Sequence, residues 1–272
     1  MDHDELLVFV TSLGISAWAG SHWYWRLANA GPPYSRATLR VRIVLGALPI
    51  ALLVVLNSAL QAGAAREVRE DSVYSWLFLA LGAAWLALAW KVTAWLGIDV
   101  GDDALERNNS AACVATCGAL VGSMTIYGFA NIGEGPTIWT TIGPAALGSV
   151  AAVGLMATYQ SLSGAADAIT IDRDLASGIR FAALALSSGL ILGRPLAGDY
   201  VSAADTLGEL FGQAWPVLPL VGLATWVERR LRPTPEQSDT LRRGLLPSLG
   251  YVALGVLDLV HLGLPTVTGA PR

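Results

Sequence analysis

The sequence predicts an all-α, polytopic membrane bundle of seven or eight helices. Apolar blocks, most of them near the length of a bilayer crossing, recur along the chain between short polar connectors. A hydrocarbon core of about 30 Å takes about 20 helical residues to cross. Of the 272 residues, 54% are hydrophobic and only 14% charged, against about 25% charged in an average soluble domain. The basic residues gather in alternate connectors, as topology signals do. A net charge of -4 gives no basic surface of the kind a nucleic acid needs.

The first block, Leu6–Leu27, follows the acidic start Met1-Asp2-His3-Asp4-Glu5. That start lacks the positive region of a secretory signal peptide, so the block is expected to remain as a helix. The next spans are read as Leu39–Gln61, Tyr74–Leu96, Ser110–Ala130, Thr137–Leu162, Leu175–Gly193 and Leu207–Trp226. An eighth block, Leu245–Leu264, is long enough to cross but contains Pro247, Asp258 and His261. It lacks the basic polar face of an interfacial helix, so spanning is the expectation.

Cytoplasmic connectors are enriched in Lys and Arg. With the N-terminus outside, thirteen basic residues (Arg26, Arg36, Arg40, Arg42, Lys91, Arg107, Arg173, Arg180, Arg229, Arg230, Arg232, Arg242 and Arg243) fall on the cytoplasmic side. Arg66, Arg69, Arg194 and Arg272 fall outside. Arg180 lies just inside the sixth span, where its long side chain is expected to snorkel to the cytoplasmic interface. Glu228 to Arg243, with Pro233 and Pro235, reads as a solvated cytoplasmic loop, its charge setting topology or meeting anionic headgroups. The organisation is then a three-helix segment at 1–98, two hairpins at 99–232, and the loop and last apolar block at 233–272.

Spans two to seven group into three hairpins, whose second helices carry Trp76, Trp139 and Trp215 near their outer ends. Interfacial aromatic anchoring accounts for that pattern. The last two hairpins share more: Glu106-Arg107-Asn108 opens one and Asp172-Arg173-Asp174 the other, each leading through small residues into an apolar run. Such a parallel repeat relates two helix pairs by an axis along the membrane normal. Asn109-Ser110-Ala111-Ala112-Cys113, Gly118 and Gly122, then Trp139 and Gly143, resemble the YjfL-like inner-membrane proteins, a bacterial family of unknown function. In the second copy Asp174 replaces the Asn and Ala183 the first glycine, and aligning the charged triplets instead shifts the register by one residue. The resemblance covers about Asp99 to Arg232. It implies a bacterial inner membrane and a four-helix unit extended here on both sides, but no activity.

Gly118 with Gly122, and Gly189 with Gly193, place small residues four apart on one helix face, where a neighbouring backbone can come close. They serve helix packing within the chain or an oligomer interface. Cys113 and Cys117 share a face of the fourth span, but a structural zinc site normally takes four ligands, and they read as small packing residues. Lys91, the single lysine, is near the cytoplasmic end of the third span, far from where a retinal Schiff base would need it. Asn109 and Asp174 are good N-caps, or would face a shared polar site if paired at a repeat axis. Asp258 and His261, three apart on one face of an apolar block, are candidate functional polar residues, because ionisable groups inside a membrane are costly. Glu209, with Gln213, is a weaker candidate near the outer end of the seventh span. No nucleotide loop, metalloprotease motif or nucleophile–base pair stands out, so no catalytic, cofactor or metal site is assigned. The expected function is a non-enzymatic envelope scaffold or sensor in the lipid bilayer, alone or with a second copy or another membrane protein. The alternative is a small ion or solute transporter using the intramembrane polar groups.

Overall fold

The computed structural model describes residues 1–29, 36–232 and 241–263. Pro233, Pro235, Leu264 and Arg272 lie outside them, as does most of the connector after Arg232. The elements are α1 (His3–Asn29), α2 (Arg36–Gly63), α3 (Arg66–Glu70), α4 (Ser72–Trp95), a π-helical turn (Val100–Glu106), α5 (Ser110–Ala130), α6 (Trp139–Ser163), α7 (Ala165–Thr170), α8 (Leu175–Gly193), a 3-10 turn (Arg194–Leu196), α9 (Ala203–Gln213), α10 (Val217–Arg230), a second π-helical turn (Leu241–Leu245) and α11 (Leu246–Leu262). The described residues hold no strand, only an isolated bridge between Ala64 and Gly133.

Seven described helices are long and apolar enough to cross a membrane: α1, α2, α4, α5, α6, α8 and α11 with its preceding turn. The eighth apolar block is therefore among the seven. The seventh, expected as one helix over Leu207–Trp226, is instead α9 and α10, bent by 44° at the break. Pro216 explains the break, since it has no N–H to donate and its ring disfavours helical backbone at Trp215. Past the break, α10 runs on to Arg230, so Glu228 belongs to a helix rather than to the solvated loop expected there.

Cross-helix contacts set the directions. Ser16 Oγ donates to the Ala80 carbonyl at 3.0 Å and Arg26 pairs with Asp99 at 3.3 Å, so α1 and α4 run the same way. Trp139 Nε1 at the start of α6 donates to Asp4 at the start of α1 at 3.1 Å, and Trp85 Nε1 to Ser149 Oγ at 3.0 Å, which aligns α6 with them. Arg229 Nε reaches the Leu162 carbonyl at 2.7 Å, bringing the end of α10 to the end of α6. The helices between these run the other way: the Gly133 N–H donates to the Gly63 carbonyl at 3.0 Å and the Gly198 N–H to the Ile132 carbonyl at 2.8 Å, joining the ends of α2, α5 and α8. One end of the bundle thus holds Arg26, Arg107, Arg173, Arg229 and Arg232, and is called the basic end below. Trp76, Trp139 and Trp215 are exposed at the other.

At the centre α5 and α8 run parallel, backbone against backbone. A Cβ on Gly118 would lie 2.2 Å from Ala182 Cα, and one on Gly122 would lie 2.4 Å from the Ala185 carbonyl oxygen. From the other side, a Cβ on Gly189 would lie 2.5 Å from the Gly122 carbonyl oxygen, and one on Gly193 would meet Phe129 at 2.7 Å. The four glycines therefore line an internal seam, where close approach maximises dispersion contact that lipid cannot supply. Cys113 is buried and Cys117 half-buried, both as free thiols.

The two central helices also begin alike. Asn108 and Arg173 are the described non-glycine residues with positive φ, at 52° and 55°. Before α5 the Arg107 N–H donates to the Asp102 carbonyl at 3.1 Å and the Asn109 N–H to the Asp103 carbonyl at 3.3 Å. Before α8 the Asp172 N–H donates to the Asp167 carbonyl at 3.1 Å and the Asp174 N–H to the Ala168 carbonyl at 2.8 Å. This pattern sets Asn109 against Asp174, the register of the caps rather than that of the charged triplets.

Candidate functional site

Asp174, Ser177 and Arg180 follow one another at three-residue steps and so share a face at the start of α8. Asp174 caps the helix, accepting from the Ala176 and Ser177 N–H groups. Arg180 is expected to snorkel, but its side chain is fully buried, and so is that of Glu228 on α10. Arg180 Nε donates to Glu228 Oε2 at 2.7 Å and Nη2 to Glu228 Oε1 at 3.0 Å, a two-pronged ion pair. The carboxylate partner keeps the side chain inside. An unpaired guanidinium would have to reach water, whereas a carboxylate at the same depth satisfies it in place.

The rest of the cluster completes both charged groups. Tyr159 of α6 donates its hydroxyl to Glu228 Oε2 at 3.1 Å. Ser177 Oγ lies 2.6 Å from Glu228 Oε1 and 2.6 Å from Asp174 Oδ2, and takes a hydrogen bond from Arg180 Nη2 at 2.9 Å. A hydroxyl has a single hydrogen, so Ser177 donates to one of these carboxylates at a time. Arg180 Nη1 donates to the Arg243 carbonyl in the turn before α11. Asp174 stands 3.7 Å from Arg180 and is the member closest to solvent. Four segments, α6, α8, α10 and the turn leading into α11, are thus joined by one network. Arg180 lies about 9 Å along the helix from its cap.

The residues singled out from sequence fall in different places. Asp174 enters the network. Asn109 caps α5 through the Ala111 and Ala112 N–H groups, and its Nδ2 donates to the Ile169 carbonyl at 2.7 Å, fastening α5 to the short helix that precedes Asp174. Asp258 is half-buried with one carboxylate oxygen unpartnered, and His261 is exposed. Both lie toward the end of α11 where Arg194 Nε holds the Gly263 carbonyl at 2.5 Å, well away from Asp174 and Asn109. Glu209 is exposed at that same end, and with Gln213, Glu134 and Tyr200 it lines a polar cavity of about 300 Å³. Lys91 stands 4.4 Å from the Trp90 ring centroid near the basic end. Glu228, Tyr159 and Ser177 are the members that sequence reasoning misses. The available signal was Arg180, a charge within an apolar span that required a partner.

Comparison with known proteins gives no match: no family model, no curated protein and no solved structure is similar to this chain.

Proposed function

We propose that the protein is an integral membrane scaffold or sensor that acts through helix packing rather than by carrying a solute. The observation that carries this reading is the buried Arg180–Glu228 network, which hydrogen-bonds its own charges and ties three helices and a turn into one block. From Arg180 to Arg194, at the polar cavity of the far end, α8 advances about 21 Å. Between them its buried face carries Phe181, Leu184, Gly189 and Ile191, with Ser187 and Ser188 as the polar side chains and Ser187 Oγ donating to the Ala183 carbonyl of its own helix at 2.7 Å. A path for an ion needs charged or continuous polar groups through that distance, and residues 181–193 hold no charge. Asp258, His261 and the cap residues, the groups a transporter would bring to one cavity, stand at opposite ends.

The basic end faces the cytoplasm in this reading, with the N-terminus outside, on the charge asymmetry of the connectors. The cell membrane is then a bacterial inner membrane, in keeping with the YjfL-like pattern of Asn109, Gly118 and Gly122. The hairpins α5–α6 and α8–α10 are a parallel repeat, supported by their matching caps, positive-φ residues and turn hydrogen bonds. Purified protein in sealed vesicles, assayed with a pH-sensitive dye and a panel of small ions from pH 5 to 8, tests the main claim. The expected result is leakage equal to that of empty vesicles. Flux that disappears in Glu228→Gln would refute the scaffold and favour the transporter.

A further inference from the structure

We propose that the groove between α10 and α11 is a binding site for one phospholipid with an anionic headgroup. The groove encloses about 500 Å³, within the range of sites built for small ligands. Its walls are apolar, formed chiefly by Leu223, Trp226 and Val227 on one helix and Pro247, Tyr251 and Leu254 on the other. Leu223, Trp226 and Leu254 are exposed, so the groove opens sideways, where acyl chains lie.

The charge of the occupant follows from Arg230, which lines the groove at its basic end. Its guanidinium stands 5.9 Å from the Trp226 ring centroid, and among the described residues it has no carboxylate partner. Two neighbouring arginines are already engaged, Arg229 with the Leu162 carbonyl at 2.7 Å and Arg232 with the Ser163 carbonyl at 2.5 Å. A guanidinium at the end of an apolar trough matches a phosphate above an acyl chain. Arginine's planar fork also takes two phosphate oxygens at once.

The site rests on the membrane reading and not on the scaffold reading, so flux in vesicles would end the latter and leave this proposal standing. The test is native mass spectrometry of the full chain in detergent, titrated with phosphatidylglycerol or phosphatidylcholine of identical acyl chains. The wild type should retain one phosphatidylglycerol in preference to phosphatidylcholine. Arg230→Gln should weaken phosphatidylglycerol about fivefold, the effect of one basic residue near an anionic surface, and bring it level with phosphatidylcholine. Gly250→Leu should weaken both lipids, because its new side chain fills the groove from a position where an added Cβ meets nothing within 4 Å. Arg66→Gln, at the opposite end, should change neither. Equal retention of the two lipids by the wild type would overturn the proposal. So would unchanged binding in either groove variant, or a loss in Arg66→Gln as large as that in Arg230→Gln.

Discussion

Removing one partner of the Arg180–Glu228 pair should destabilise the bundle far more than removing the pair costs per residue. Glu228 receives contacts from Arg180 Nε and Nη2, Tyr159 and Ser177, and both charged side chains are fully buried. Glu228→Leu therefore leaves the guanidinium with Asp174, 3.7 Å away, as its counter-charge in place of a two-pronged partner, and the Tyr159 hydroxyl without its acceptor. Breaking a buried pair this way typically costs about 3–5 kcal/mol. Arg180→Met leaves the Glu228 carboxylate stranded and releases the Arg243 carbonyl, with a cost in the same range. The double variant strands neither of these two buried charges, so its cost should be no greater than that of the worse single change. The cycle should then show a coupling of about 3 kcal/mol, against the 0.3–0.5 kcal/mol expected of independent sites. Reversible unfolding of the four proteins in mixed micelles, titrated with a denaturing detergent and followed by helical circular dichroism, measures it. Additive losses would refute the reasoning, since they would mean that the two charges do not depend on each other.

Other consequences follow from single positions. Gly118→Ile should cost more than the usual 1–3 kcal/mol of overpacking, because its Cβ meets backbone at 2.2 Å, whereas Gly128→Ala, with nothing within 4 Å, should leave detergent melting unchanged. Asp174→Ala should cost about 1 kcal/mol or more as a lost cap. Asp174→Asn should be milder, because an amide oxygen in the Oδ1 place still accepts from the Ala176 N–H while its nitrogen donates to Ser177 Oγ; thermal melts of the two variants compare them directly. In a background of Cys113→Ala and Cys117→Ala, cysteines at the exposed Ser72 and Val201 should react with an impermeant thiol reagent on intact cells. A cysteine at Asp172, also exposed, should react only once the cytoplasmic face is opened, and the opposite pattern would reverse the orientation.

The helices themselves were legible in the chain because their cause is local. A run of about 20 apolar residues must satisfy its backbone internally in a bilayer, and an α-helix does so within the segment. The glycine spacing at Gly118, Gly122, Gly189 and Gly193 likewise marks a helix face, whichever neighbour meets it. The bend at Pro216 was also local, but a count of apolar residues passes over a proline and joins α9 to α10. Sequence could not decide how each helix is rotated or which helices are neighbours, and the buried site depends on both. Arg180 and Glu228 are 48 residues apart, and Glu228 stands beside Arg229 and Arg230 in a run that looks like any solvated connector. Only the extension of α10 by another turn past Trp226, on the side of α8 that carries Arg180, turns that run into the wall of a buried ion pair. The same packing leaves Asp258 and His261, the polar residues most conspicuous in an apolar sequence, at the opposite end of the bundle. Conspicuous charge is a property of the local sequence, but the pairing of charges depends on burial and distance, which only tertiary structure assigns.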